Sequence, residues 1–376
     1  LKIAVNARLL LHNRLEGIGR FSFEILSRLA AAHPEHEFIY LFDRKFHPSF
    51  ISSSNITPVV IAPQARHPLL WKIWFNYSVP RAIKKHKAQL FLSADGFLSE
   101  RLKVPQIAVI HDLNFEVYPE DLRPSHSAYY RKYFPKFAKI ASRLATVSEF
   151  SKSDISHRYN VSTEKIDVVY NAAGENFKPS SPSEISNFKL KYTAGNDYFL
   201  FVGAMHPRKN IERLLLAFDL LKNKQPGNYK LVLVGNKYWW NEQIKNTFDN
   251  LKHQNDVIFT GRLNNEDLNT ALSGAIALTF VPYFEGFGIP ILEAFACECP
   301  VITSNVTAMP EIASDAALLA DPFSVESISG SMSQLLLDPD LRQELISKGN
   351  TRLLDFNWDK SAKDLWKTIE RCIENT

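Results

Sequence analysis

Two carboxylates with seven residues between them, Glu285 and Glu293, bracket the run Gly286-Phe287-Gly288-Ile289-Pro290-Ile291-Leu292. Upstream, residues 276–281 read as a buried strand. Downstream, residues 290–297 read as a helix with Pro290 at its first position, where the missing N–H removes nothing the helix needs. Glu285 is therefore expected in a strand-to-helix loop. Gly286 and Gly288 let the bare backbone around Phe287 and Ile289 come close to a ligand, and the helix N-terminus offers a partial positive charge suited to phosphate. Glu293 is expected in the first helical turn, with two acceptor oxygens for a diol such as a ribose. An acid for a sugar, amides for phosphate and an acid for a ribose, all in one segment, describe a nucleotide-sugar site. The competing reading is a surface loop whose helical Glu is simply favoured by the helix dipole.

Other segments carry matching chemistry. Pro207-Arg208-Lys209-Asn210 follows a strand over 198–202 and Gly203, and opens a helix in which Asn210 is the expected N-cap. Arg208 and Lys209 are two fixed cations placed to neutralise a departing diphosphate, where negative charge grows. Gly17-Ile18-Gly19 superficially resembles a dinucleotide fingerprint. It lies about ten residues beyond the first strand, however, and Ser22 stands in place of the third glycine, so a dehydrogenase is a poor reading. Arg20 either adds a cation there or stays solvated on a helix over 21–29. His111 and Asp112 end a strand over 107–110. A histidine in that place is either a hydrogen-bonded structural group or a site residue, and Asp112 either orients the ring or caps the next segment.

The segment Glu285–Glu293, followed by Ala294-Phe295-Ala296-Cys297, resembles the E-x7-E motif of the retaining glycosyltransferases of family 4, which have the GT-B fold. Further blocks resemble the family in its order: Gly17-Ile18-Gly19-Arg20, His111-Asp112, Thr146-Val147-Ser148-Glu149, Val169-Tyr170-Asn171, Gly203 with Pro207-Arg208-Lys209-Asn210, Val234-Gly235 and Phe259-Thr260-Gly261. The resemblance implies two doubly wound Rossmann-like domains facing across a cleft. It implies that Glu285 holds the donor sugar and that Arg208 and Lys209 contact the diphosphate. His111 would meet the sugar near its reacting centre, and Gly17 and Gly19 would line the cleft from the acceptor side. Gly203, Gly286, Phe287, Gly288, Ile289 and Glu293 would complete the donor site. Family members are thought to use a same-face displacement in which the leaving phosphate helps deprotonate the acceptor hydroxyl, so no protein nucleophile is expected. No Asp-x-Asp element sits in a plausible metal-binding loop, so neither metal nor cofactor is expected beyond the nucleoside-diphosphate sugar as co-substrate. Asn6-Ala7-Arg8, with the glycine and Pro-Arg-Lys blocks, looks most like mannosyltransferases of bacterial surface-polysaccharide assembly. GDP-mannose is thus the favoured donor, a UDP-hexose the next, and a glycan or lipid-linked glycan the acceptor. An epimerase on the same fold and a non-catalytic, membrane-associated subunit that binds sugar nucleotides are the rivals. The chain departs from the family at Glu298, where Gly is common, at His206, where Glu or Arg is common, and in a run before Glu285 that is one residue shorter than usual.

The elements that must position these groups are legible as an α/β alternation. Strands are expected over 3–7, 37–42, 58–62, 90–93, 107–110, 145–148 and 166–170, then over 198–202, 230–234, 257–260, 276–281, 301–303 and 317–319. Ile211, Leu214, Leu215, Phe218 and Leu221 keep helical spacing between two of them. With 376 residues, two domains are expected. The Pro/Ser-rich stretch from Lys178 sets the boundary: an acceptor-side domain over 1–177, a nucleotide-sugar domain over 178–357, and a helix over 358–376 that crosses back to the first domain. The 45% hydrophobic and 22% charged fractions are those of an ordinary globular enzyme. No apolar run is long enough to span a bilayer, and residues 1–6 read as a strand rather than a secretory leader, which points to the cytoplasm. Cys297, Cys299 and Cys372 match neither a disulfide framework nor a zinc spacing. Residues 1–175 carry 24 Lys+Arg against 16 Asp+Glu. Between Asp43 and Asp95 there is no acid at all, while Arg44, Lys45, Arg66, Lys72, Arg81, Lys84, Lys85 and Lys87 interleave with Trp71, Trp74, Phe75 and Tyr77. Such a surface suits an anionic membrane face, which would hold the enzyme peripherally on the inner leaflet, or an acidic acceptor, or else the aromatics are core and the cations a solvated face. No nucleic-acid motif accompanies the patch.

Overall fold

A computed structural model describes residues 1–12, 15, 17–236 and 242–374. The chain forms two compact units, one of Leu1–Asn171 with Asn357–Thr376 and one of Ala172–Phe356. The passage between them at Asn171 and Ala172 lies ahead of the Pro/Ser-rich stretch.

In the first unit, β1 (Lys2–Asn6), β2 (Glu37–Phe42), β3 (Ile56–Val60), β4 (Leu90–Ser93), β5 (Gln106–Val109), β6 (Arg143–Thr146) and β7 (Ile166–Val168) form one parallel sheet in the order β3-β2-β1-β4-β5-β6-β7. In the second, β8 (Tyr198–Val202), β9 (Lys230–Val234), β10 (Val257–Gly261), β11 (Ala277–Phe280), β12 (Val301–Ser304) and β13 (Leu318–Ala320) are again all parallel, ordered β10-β9-β8-β11-β12-β13. Every expected strand exists, displaced by no more than a residue or two at its ends. The reason is physical: strands covered by helices on both faces read as unbroken apolar runs, as Tyr198-Phe199-Leu200-Phe201-Val202 does, and all five of these are buried. Each sheet reverses its winding once, between β1 and β4 and between β8 and β11. Loops leaving the strand C-termini diverge there and open the crevice in which doubly wound sheets bind ligands.

Glycines let the backbone close up beside the second of these points. Gly203 after β8 and Gly235 after β9 have φ of 150° and 148°. A side-chain carbon on Gly235 would lie 1.9 Å from the Gly203 carbonyl oxygen, so neither loop tolerates a larger residue in its present path. The helix Ile211–Lys224 buries Ile211, Leu214, Leu215, Phe218 and Leu221, the stripe its spacing predicts. Asn210 does not cap it. Its backbone is left-handed, and its side-chain amide donates to the carbonyls of Val281 (3.0 Å) and Pro322 (2.6 Å).

Three of the four aromatics named in the acid-free span, all but Tyr77, belong to the interior. Trp71, Trp74 and Phe75 join a core cluster with Phe97, Tyr129, Phe134 and Phe137, and both indole N–H groups donate inward, to the carbonyls of Ala65 and Ile61. The membrane-facing role assigned to them fails, because a helical ribbon from Pro68 to His86 turns one face to the sheet and keeps its cations on the other. The helix Trp358–Glu374 packs in the first unit: Trp358 meets Phe21, Arg28 bonds Asp359, and Ser361 Oγ donates to the Tyr170 carbonyl.

The helix Ile289–Ala296 ends in a Schellman turn, with the Glu298 N–H donating to Phe295 O (3.1 Å) and the Cys299 N–H to Ala294 O (2.9 Å). Glu298 sits at the left-handed position of that turn, with φ of 54°. The departure from the family's glycine therefore leaves the turn intact and costs strain instead. Glu298→Gly should raise stability by about 0.5–1 kcal/mol, the left-handed penalty less the extra entropy a glycine loses on folding. A higher urea midpoint with an unchanged slope is the expected readout.

Candidate active site

Two loops that leave neighbouring strands on either side of the β8/β11 reversal build the charged centre of the second unit. After β8, His206 accepts the Arg208 N–H and starts the single 3-10 turn Pro207–Lys209. That turn projects both cations toward the loop after β11. Arg208 Nη1 donates to Glu285 Oε2 at 2.5 Å, and Lys209 Nζ donates to the same oxygen. The backbone is stitched as well: the Tyr283 N–H donates to Arg208 O (3.1 Å), and Arg208 Nη1 also reaches Phe284 O (3.3 Å). Lys209 Nζ lies 4.7 Å from the ring centre of Phe280. With Asn210 holding the Val281 carbonyl, the residues from 281 to 285 have little freedom.

The Glu285 side chain is only 14% exposed. Burial on its own would push the carboxyl pKa up, but the charges of Arg208 and Lys209 and their hydrogen bonds outweigh it and hold the group below the usual carboxylate range. The site thus keeps a dehydrated but ionised carboxylate between two cations.

Beyond Glu285, Gly286, Phe287 and Gly288 are buried, and the Phe287 ring packs on Phe356 with centroids 5.8 Å apart. Gly288 is left-handed at φ 89°, and the helix begins at Ile289, one residue earlier than expected. Pro290 is consequently the second helical residue, and Glu293 lies beyond the first turn. Its half-buried carboxylate is still on the helix that Glu285 leads into, but the first-turn placement is corrected.

In the first unit the reversal between β1 and β4 carries a second polar cluster. His111 follows β5, and its Nε2 lies 2.9 Å from the Ala94 carbonyl oxygen. A carbonyl can only accept, so Nε2 carries the proton. Phe21 meets the imidazole edge-on at 4.9 Å, and Ser151 Oγ donates to the His111 carbonyl (3.1 Å). Burial lowers the His111 pKa, against the opposing pull of the Ala94 bond and of Asp112 and Asp95, so the ring is neutral. Asp112 accepts the Asn114 N–H (3.1 Å) and its charge also acts on the His111 ring. Gly17 and Gly19 are not a loop: the helix runs from Ile18 to Ala32, and only Gly17 (φ 47°) precedes it. A side-chain carbon at Gly19 would stand 2.9 Å from Leu9 O, so this glycine serves close backbone approach. Arg20 pairs with Glu24 along the same helix (3.1 Å).

Sequence reasoning gave no role to Arg8 and Asp95, a buried pair joined at 2.7 Å beside Asn6. The signal was present: Asp43 and Asp95 bound the acid-free span, and an acid at each end of a long basic stretch is a candidate for burial against a cation. Both are in fact buried. Among the described residues, His33, Glu35 and His36 place ligand atoms close enough for a metal ion, between the helix Ile18–Ala32 and β2, where no predicted site residue lies.

These arrangements match known proteins. The profile described as "Glycosyl transferases group 1" fits residues 183–352, and that described as "Glycosyltransferase Family 4" fits residues 15–173. The chain is 30% identical over 357 residues to "O-antigen chain mannosyltransferase B" of Escherichia coli, covering 92% of this chain and 93% of that one. The chain belongs to the group 1 glycosyltransferases. It is an enzyme, a hexosyltransferase. The fold is GT-B: sucrose-phosphate synthase from Thermosynechococcus elongatus superposes with a TM-score of 0.80 at 18% identity over the whole of both chains. The Anabaena protein HepE in complex with UDP-glucose superposes at 0.73 and 18% identity, covering 98% of this chain and 99% of that one.

Two shifted groups of this glycosyltransferase, His111 and Glu285, each add a loss of stability in acid. His111, with its folded pKa lowered, contributes stability that is complete above its unfolded value of 6.5 and is lost as pH falls below it. Glu285 contributes stability that is present above its unfolded value of 4.5 and is lost as pH falls through the lower folded value. Urea unfolding at pH 7.5, 5.5 and 4 should therefore show two losses. The first should shrink in His111→Gln and the second in Glu285→Gln.

Proposed function

We propose that the enzyme moves a hexose, mannose in the favoured case, from GDP-mannose to a glycan or lipid-linked glycan, with retention of anomeric configuration and without a metal ion. The observation that carries this reading is the convergence of Arg208, Lys209 and Glu285 beside the β8/β11 reversal. Both cations grip one carboxylate oxygen. A diphosphate that draws on the same cations releases Glu285 to accept hydrogen bonds from hydroxyls of the donor sugar. The cations then stabilise charge that grows on the leaving phosphate, a role otherwise given to a divalent ion. Neutral His111, bonded through Nε2–H to Ala94, keeps Nδ1 as an acceptor for a sugar hydroxyl. Transfer proceeds on one face, with the departing phosphate taking the acceptor's proton, while the protein supplies position and electrostatics. The name of the Escherichia coli relative favours mannose, and the UDP-glucose bound to the Anabaena protein keeps a UDP-hexose as the second reading.

Glu285→Gln should reduce turnover about 10²–10³-fold, whereas Arg208→Ala and Lys209→Ala should weaken nucleotide affinity and turnover together. Thermal shift with GDP-mannose, GDP, UDP-glucose and UDP separates the donors, because a ligand at 100 times its Kd adds about 2.7 kcal/mol. NMR of the product should show retention, and activity should survive chelation; inversion, or activity restored only by added Mg²⁺ or Mn²⁺, contradicts the reading.

The proposal extends to the membrane through the cations and Tyr77 already named, with Leu69 and Ile73 in place of the buried Trp71, Trp74 and Phe75. Leu69 (62% exposed), Ile73 (37%) and Tyr77 (39%) follow one another at four-residue steps along the ribbon from Pro68 to His86. Exposed Arg66, Lys72, Arg81, Lys84, Lys85 and Lys87 surround that stripe. Apolar side chains ringed by cations fit the headgroup layer of an anionic leaflet, where each cation contributes about 1 kcal/mol. No helix among the described residues is long and apolar enough to cross a membrane. Sedimentation with anionic vesicles should therefore be strong at low salt, reversed by salt, weak with neutral vesicles and reduced in Leu69→Asn/Ile73→Asn.

A further inference from the structure

The clamp on Asp95 is out of proportion to an ordinary ion pair. Its Oδ1 accepts from Asn6 Nδ2 (2.8 Å), Ser93 Oγ (3.0 Å) and the Phe97 N–H (3.3 Å), and its Oδ2 accepts from Arg8 Nε (2.7 Å). Arg8 is fixed in turn by the Ala65 carbonyl (3.2 Å) and by the rings of Phe97 and Phe75, at 4.3 and 5.4 Å from its guanidinium carbon. Asn6 and Arg8 leave β1, while Ser93 and Asp95 leave β4, so the clamp spans the reversal of the first sheet. The next residue, Gly96, has φ of 84°, and a side-chain carbon there would meet Phe134 at 2.8 Å. Nothing in this loop can turn without breaking several contacts.

What the clamp fixes is the peptide between Ala94 and Asp95. The carbonyl of that peptide is the acceptor for His111 Nε2–H, and its direction decides which imidazole nitrogen carries the proton. No other described group hydrogen-bonds the ring, and Phe21 meets it edge-on. We propose that Asp95, held by Asn6 and Arg8, is a positioning residue for transfer: it aims the Ala94 carbonyl so that His111 presents an unprotonated Nδ1 to the substrate. The proposal rests on the reading of His111 as a contact of the transferred sugar. Asp95 itself touches no substrate and transfers no proton.

The test combines spectroscopy with kinetics on the full chain. Nitrogen-15 NMR of labelled histidine should show His111 protonated at Nε2 alone in the wild type, and a tautomer mixture in Asp95→Asn. With GDP-mannose, or whichever donor proves active, Asp95→Asn should lower kcat about 100-fold with little change in KM, the cost of a small misplacement of a reacting contact. In a His111→Ala background the same substitution should cost less than about twofold, because the two residues act through one bond. Asn6→Ala keeps the Arg8–Asp95 pair and should show the same changes to a smaller degree; it serves if Asp95→Asn does not fold. An unaltered Nε2 tautomer in a folded Asp95→Asn or Asn6→Ala protein overturns the positioning role. Full additivity with His111→Ala overturns its link to transfer. Near-wild-type transfer by His111→Ala alone sinks the sugar-contact reading of His111, and is told apart because the tautomer shift in Asp95→Asn would remain.

Discussion

One carboxylate oxygen shared by two cations governs the second unit. Glu285 Oε2 takes Arg208 and Lys209 at once, and the three come from loops on opposite sides of a sheet reversal. An ion this enclosed is tolerable only if fully compensated, and removing either side of such an arrangement leaves a buried charge without its counterpart. The surrounding structure is organised to keep the balance. Asn210 abandons the capping role usual for its position to hold the carbonyls of Val281 and Pro322. Tyr283 and Phe284 bond the backbone and side chain of Arg208. The helix gives up a cap so that the loop bearing the acid can be exact in position.

The two units use the same topological feature with opposite electrostatic balance. At β8/β11 two cations meet one acid; at β1/β4 one acid receives one cation and three neutral donors. The first arrangement carries net positive charge at its centre and suits an anion that enters and leaves. The second is neutral and closed, which suits a group whose task is to stay where it is. The first is carried on loops five to seven residues beyond β8 and β11, the second on the last residues of β1 and β4 and on the residues two beyond them.

How much of this was legible in the sequence follows from burial. Strands enclosed on both faces, as β8 and β11 are, leave apolar runs that cannot be mistaken, whereas β3, β10 and β13 are only partly buried and are legible from their β-branched and apolar residues. Arg208, Lys209 and Glu285 could be singled out because their types and their places beside glycines leave few other uses. Where one residue's conformation decides, sequence was silent: a left-handed Gly288 starts its helix early and carries Glu293 past the first turn. The helix at Ile18 began ahead of its periodic apolar residues, so Gly19 read as loop when its work is to let Leu9 O come close. Trp71, Trp74 and Phe75 alternate with cations in the chain but not in space, because a helix sorts the two kinds onto different faces. Arg8 and Asp95 lie 87 positions apart, and only the pairing of β1 with β4 makes them neighbours.

The helix Trp358–Glu374 gives the molecule an order of completion. Trp358 rests on Phe21, which also meets His111, so a segment made after the whole second unit closes the packing around a residue placed in the first third of the sequence. A nascent first unit would therefore emerge from the ribosome with its Phe21 face uncovered, and would have to wait for the whole second unit before covering it. Long-range closure of this kind slows folding, but it also ties the competence of the first unit to the arrival of a helix made after the second. A chain cut short anywhere before Trp358 lacks the means to finish its histidine pocket, which makes synthesis through this helix a condition of assembling the site.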